Sequence, residues 1–143
     1  MKNIDTCNLI LKLATKYGFD YYLDLSIDQE AGCPQVQIDI LSKGISVFAF
    51  FFNTEADNVY FSSVYVMDKA YIDQHFEAWK AEFNAQKPLD YISFFRSDDD
   101  NTVHIFGEID KSLVSAEKIT EVFDCFMKPV GLIAKLEREC FGV

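Results

Sequence analysis

From Tyr21 to Met67 the chain passes through four successive strand-like stretches joined by connections of only a few residues. Parallel neighbours need a crossover of about a dozen residues or more. Short connections therefore force antiparallel pairing, and the rest of the chain must fold around that sheet. In the first stretch Tyr21, Leu23, Leu25 and Ile27 alternate with Tyr22, Asp24, Ser26 and Asp28, the period of a half-buried strand. Gly32 and Pro34 mark Gln29–Gln35 as a loop. A second strand carries Val36, Ile38 and Ile40 inward and Gln37 and Asp39 outward. Ser42-Lys43-Gly44 reads as a short turn with Gly44 at positive φ. Ile45 to Phe52 is apolar nearly throughout, as in a strand covered on both faces, and Val59 to Met67 returns after the polar loop Asn53–Asn58.

Helical periodicity frames these strands. Leu9, Ile10, Leu13, Ala14 and Tyr17 recur at spacings of three and four, with Asp5 as a cap and Gly18 as a stop. A second helix is expected over Lys69–Ala85, capped by Asp68 and closed by Pro88, with an apolar stripe of Ile72, Phe76, Trp79 and Phe83. Tyr91–Arg96 and Val103–Ile109 form a hairpin around Ser97–Thr102. The last helix starts near Ser115 and runs through Ile119, Val122, Phe123, Phe126, Met127, Val130, Ile133 and Ala134. Pro129 falls inside it and should kink or break it. The expected fold is a single α+β domain over residues 1–143. It has one antiparallel sheet, an N-terminal, a middle and a C-terminal helix, and the order α-β-β-β-β-α-β-β-α.

Register carries the argument to a surface, because opposed residues share a face. A three-residue loop at Ser42–Gly44 sets Leu41 opposite Ile45 and Ile38 opposite Phe48. Phe48, Phe50, Phe52, Phe61 and Tyr65 then share the buried face of Val36, Ile38 and Ile40. The opposite face carries Ile45, Val47, Ala49 and Phe51 beside Tyr60, Ser62, Val64 and Val66, next to polar Asp24, Ser26, Gln37 and Asp39. Either the second helix covers this apolar half, or it is a subunit or partner interface, or a one-residue slip exchanges the two faces.

The charge narrows the partners. With 23 acidic against 13 basic residues the net charge is −10. Phosphate neutralisation needs Lys and Arg, so neither nucleic acid nor an acidic membrane surface is expected as a partner. A basic polypeptide is the better electrostatic match. Cys7, Cys33, Cys125 and Cys140 are widely spaced without a C-x-x-C, which gives no zinc pattern and reads as free thiols in a cytoplasmic protein. Met1–Asp5 is polar and no leader peptide is recognisable. Asp98, Asp99 and Asp100 invite a calcium reading, but an EF-hand counted from Asp98 puts Val103 at its sixth position and Ile109 at its twelfth. A solvated acidic turn is the better account. His75 and His104 stand apart, and no phosphate-binding glycine motif occurs. The expectation is no enzyme activity, no cofactor and no metal.

The run from Tyr91 through Asp110, with its acidic turn, followed by Ser115-Ala-Glu-Lys-Ile and an apolar helix through Phe126, resembles YbjN-type proteins. Leu9–Gly18 followed by Tyr21–Asp28 is similar to that family's first helix and strand. The resemblance implies the fold shared with type III secretion chaperones, and hence a non-enzymatic, homodimeric module that offers its sheet to another chain. Val47, Phe51, Tyr60 and Val64 are the expected contacts, extended by Phe95 and Phe106, while Glu55, Asp57 and Asp98–Asp100 would steer a basic partner. Its rival is an acidic immunity or inhibitor protein that neutralises a toxin enzyme. A third reading is an enzyme built on one of the four cysteines.

Overall fold

The computed structural model describes residues 3–30, 32–97 and 101–142. Among these the order is α1 (Asn3–Lys16), β1 (Asp20–Asp28), β2 (Cys33–Ser42), β3 (Ile45–Asn53), β4 (Asn58–Val66), α2 (Lys69–Gln86), β5 (Ile92–Arg96), β6 (Thr102–Asp110), α3 (Ala116–Met127) and α4 (Gly131–Phe141), with a 3-10 turn at Lys111–Leu113. The fold is α+β. Its six strands form one antiparallel sheet in the order β1-β2-β3-β4-β6-β5.

The expected single C-terminal helix is two helices. Pro129 has no N–H to donate and disfavours helical geometry in the residue before it. Lys128 accordingly leaves the helix at φ −128°, ψ 54°, and Gly131 restarts the chain at φ +57°. The break lets α4 turn back across the sheet, where Leu132, Ile133 and Leu136 are buried. Two caps follow their residue types. The Asp68 carboxylate accepts from the Ala70 N–H at 2.8 Å, and the Ser115 hydroxyl accepts from the Lys118 N–H at 3.2 Å, satisfying donors that the first helical turn leaves open. Asp5 is not the cap of α1, because that helix begins two residues earlier and places Asp5 in its first turn.

All the described helices pack on one face of the sheet. That face is a continuous apolar row: Ile38 opposes Phe50, Phe50 opposes Phe61, and Phe61 opposes Gly107. The α3 rings meet it through Phe123 and Phe126 on Phe48, with centroids 5.4 and 4.8 Å apart. The α2 stripe meets it at the far end through Phe76 and Phe83 on Phe94. The α4 helix stacks Phe141 on Tyr65. The second helix therefore covers the inner face and leaves the outer one bare.

Three strand expectations are corrected. The β2–β3 hairpin closes on a two-residue turn, Lys43 (φ 52°) and Gly44 (φ 78°), rather than a three-residue loop. Ser42 opposes Ile45 and Leu41 opposes Ser46, and the register then slips at a bulge beyond which Ile40 opposes Phe48 and Ile38 opposes Phe50. The bulge restores the expected faces for Phe48, Phe50 and Phe52. Val47 is the extra residue, so it turns inward, 1% exposed, rather than joining the outer face. Finally, β1 is not half-buried. Leu25 and Ile27 are 69% and 60% exposed on the helix side of the sheet, because the described helices do not extend over this part of the edge strand.

Candidate functional site

The outer face assembles its aromatic side chains from four strands. Phe51 on β3 opposes Tyr60 on β4, and Ser62 and Val64 oppose Phe106 and His104 on β6. Across the last pair Phe106 meets Ser93, and His104 meets Phe95 of β5. Phe51 stacks on Tyr60 at 5.5 Å, Tyr60 on Phe106 at 5.7 Å, and Phe95 lies flat on His104 at 4.9 Å. Phe106 links the two stacks, 6.2 Å from Phe51 and 6.4 Å from Phe95. Such pairs add about 0.5–1.5 kcal/mol each beyond the area they bury, so the rings hold one another in place without a helix above them. Phe95 remains 42%, Val64 40% and Val66 66% exposed.

Of the side chains expected to make contact, Phe51, Tyr60, Val64, Phe95 and Phe106 therefore share one surface. Val47 does not: it lies under the helices. His104 was not among the expected contacts, yet its ring extends the patch, and its Nε2 lies 3.1 Å from the Thr102 hydroxyl. Its position on β6, two residues from Phe106, was the available signal.

Carboxylates border the patch. Asp24 and Asp39 lie on the outer face of β1 and β2, and Glu108 and Asp110 on that of β6. Glu108 accepts a hydrogen bond from Asn58 at 3.2 Å. The Ser112 hydroxyl and N–H hold Asp110 below the usual carboxylate range. Glu55 and Asp57 are exposed in the β3–β4 loop. That loop is tied to Lys111, whose N–H donates to the Asp57 carbonyl at 2.8 Å and whose Nζ donates to the Asn53 carbonyl at 2.8 Å. Lys111 thus moderates the charge of this loop. Asp98, Asp99 and Asp100 lie outside the described residues.

The cysteines carry free thiols. Burial, with the nearby Glu137, pushes Cys125 up to about 12. Burial and Glu139 push Cys140 up to about 11, and burial raises Cys7. A thiol held protonated is a poor nucleophile. Among the described residues, no group of three or more His, Cys, Asp and Glu side chains is placed to hold a metal ion. No described helix is long and apolar enough to cross a membrane.

No protein-family model and no curated protein matches the chain. Among solved structures, an uncharacterized protein from Methanothermobacter thermautotrophicus superposes with a TM-score of 0.56 over 94% of this chain and 99% of its own, at 14% identity. A chain of the ExsC–ExsE complex aligns over 90% of each chain at 14% identity, with a TM-score of 0.47, a likeness too low to bear an argument. At 14% identity, what this chain shares with the Methanothermobacter protein is its fold.

Proposed function

We propose that the protein is a non-enzymatic binding module that presents the outer face of its sheet to another polypeptide. The observation that carries this reading is the aromatic patch of Phe51, Tyr60, Phe95 and Phe106 on a sheet face that no described helix covers. Monomeric proteins rarely leave contiguous apolar patches uncovered unless something docks there. The carboxylates of Asp24, Asp39, Glu108 and Asp110 around the patch favour a partner that combines apolar side chains with positive charge. The resemblance of the hairpin and the Ser115-capped helix to YbjN-type proteins, which share their fold with secretion chaperones, agrees with such a role.

The test is affinity capture of the tagged protein from its native lysate with a high-salt wash, comparing wild type with Phe51→Asp and Phe95→Asp. A stoichiometric partner retained by the wild type and lost by both variants supports the reading, provided that their circular dichroism is unchanged. Retention by both variants overturns it. A partner released by salt alone points to the second reading, an acidic inhibitor of a basic toxin enzyme, which the bordering carboxylates favour. Light scattering of the purified protein, run in parallel, decides whether a second copy occupies the patch.

A further inference from the structure

The charged residue least accounted for by the fold is Glu137. It lies on α4, is only 2% exposed, and its Oε2 is buried without a hydrogen-bonding partner. A buried carboxyl without a partner is costly, and burial alone raises Glu137 to about 8. The groups that bear on it are Tyr65 from β4 and Cys125 from α3, whose proton affinities its charge would raise further. Neither supplies a positive charge.

Glu137 lines a cavity of about 240 Å3 between the end of the β2–β3 hairpin and the α3–α4 break. Its apolar walls include Val47, Phe126, Met127, Pro129 and Ala134, and Ser42 and Arg138 also line it; Arg138 does not offset the burial of Glu137, whose shift has burial as its one cause. Two features described above make this space. The bulge at Ile40/Leu41 turns Val47 toward it, and Pro129 stops α3 before the helix would cross it.

We propose that this cavity binds a small apolar primary amine as its ammonium ion, with the Glu137 carboxylate receiving the ammonium and the apolar walls taking the hydrocarbon. An unpartnered buried carboxyl gains most from a ligand that brings the missing cation and N–H donors together, since charge-assisted hydrogen bonds are the strongest available to it. Glu137 enters the complex as carboxylate. When it starts protonated, its proton passes to the solvent as the ion pair forms, and no covalent bond is made. The site lies on the helix side of the sheet, so this proposal does not depend on the partner assigned to the aromatic face.

The test is isothermal titration of the full chain with 2-phenylethylammonium at pH 7, in two buffers of different ionisation enthalpy. The controls are 2-phenylethanol and 3-phenylpropionate. The expected result is one site, net release of a fraction of a proton, and at least tenfold weaker binding of both controls. Glu137→Gln should lose at least tenfold in affinity for the amine, and Ala134→Leu, which narrows the cavity without touching the carboxyl, should weaken all three compounds. The proposal is overturned if the amine does not bind at millimolar concentration, if the alcohol or the acid binds as tightly, or if folded Glu137→Gln binds the amine like the wild type. If Glu137→Gln does not fold, the proton release and the Ala134→Leu comparison decide between the same outcomes.

Discussion

The Ser63 hydroxyl donates a 2.6 Å hydrogen bond to the Val47 carbonyl inside the core. Val47 is the extra residue of the bulge, and its carbonyl lies outside the paired stretch of β3 and β4, which extends from Ala49 to Phe51 on β3. Ser63 is 1% exposed, so no bulk solvent can replace it. Ser63→Ala should cost about 1–3 kcal/mol, the penalty of an unsatisfied buried acceptor. Urea unfolding checks this, and a change below about 0.5 kcal/mol would show that the bulge does not need the bond.

Gly107 on β6 faces Phe61 on β4, and a Cβ at Gly107 would fall within the Phe61 ring. The glycine is there for space, since the ring fills the position that a side chain would take. Gly107→Ala should destabilise by about 1–3 kcal/mol through overpacking. In the Phe61→Leu background the same substitution should cost less, so the double-mutant cycle should give a coupling of the compensating sign.

Stability should fall as pH rises across the range that Glu137 titrates. Its folded value of about 8 lies above the ordinary 4.5, so between those values the folded state binds more protons than the unfolded one. The linkage slope is then negative: the loss begins near pH 4.5, continues to about pH 8, and then levels off. Glu137→Gln removes this slope, and its advantage over the wild type should grow by a few kcal/mol, at about 1.4 kcal/mol per pH unit. Urea titrations from pH 5 to 9 check it. Parallel wild-type and variant profiles would show that Glu137 is not the titrating group.

Phe94 and Phe95 are sequence neighbours with opposite fates. Phe94 is 7% exposed beneath the α2 stripe, and Phe95 is 42% exposed on the outer face. Phe94→Ala should cost about 3–5 kcal/mol, the range for a buried aromatic. Phe95→Ser should cost about 1 kcal/mol or less, losing ring contacts but creating no cavity. Equal losses would mean that the outer face is as buried as the inner one, and would remove the basis for a docking surface there.

Local sequence pattern located most of the secondary structure. Alternation placed β1 and β2, an apolar run placed β3, polar turns between apolar segments marked the remaining strands, spacings of three and four placed the α1 and α2 stripes, and Asp68 and Ser115 marked two helix starts, because each is a local property of the sequence. The grouping of Phe51, Tyr60 and Val64 followed from register carried across two hairpins, whereas the β4–β6 pairing that sets Phe106 and Phe95 beside them joins segments distant in sequence. What tertiary structure decided was which side of the sheet the helices take, since a stripe of Ile72, Trp79 and Phe83 specifies that α2 is buried but not against which face. It also decided the fate of Val47, because one inserted residue reverses the direction of a side chain and local pattern does not register the insertion. The same holds for β1, whose Leu25 and Ile27 alternate like core residues and stay exposed because no described helix reaches them. Burial depends on the arrival of a distant segment, and alternation records only the readiness to receive one.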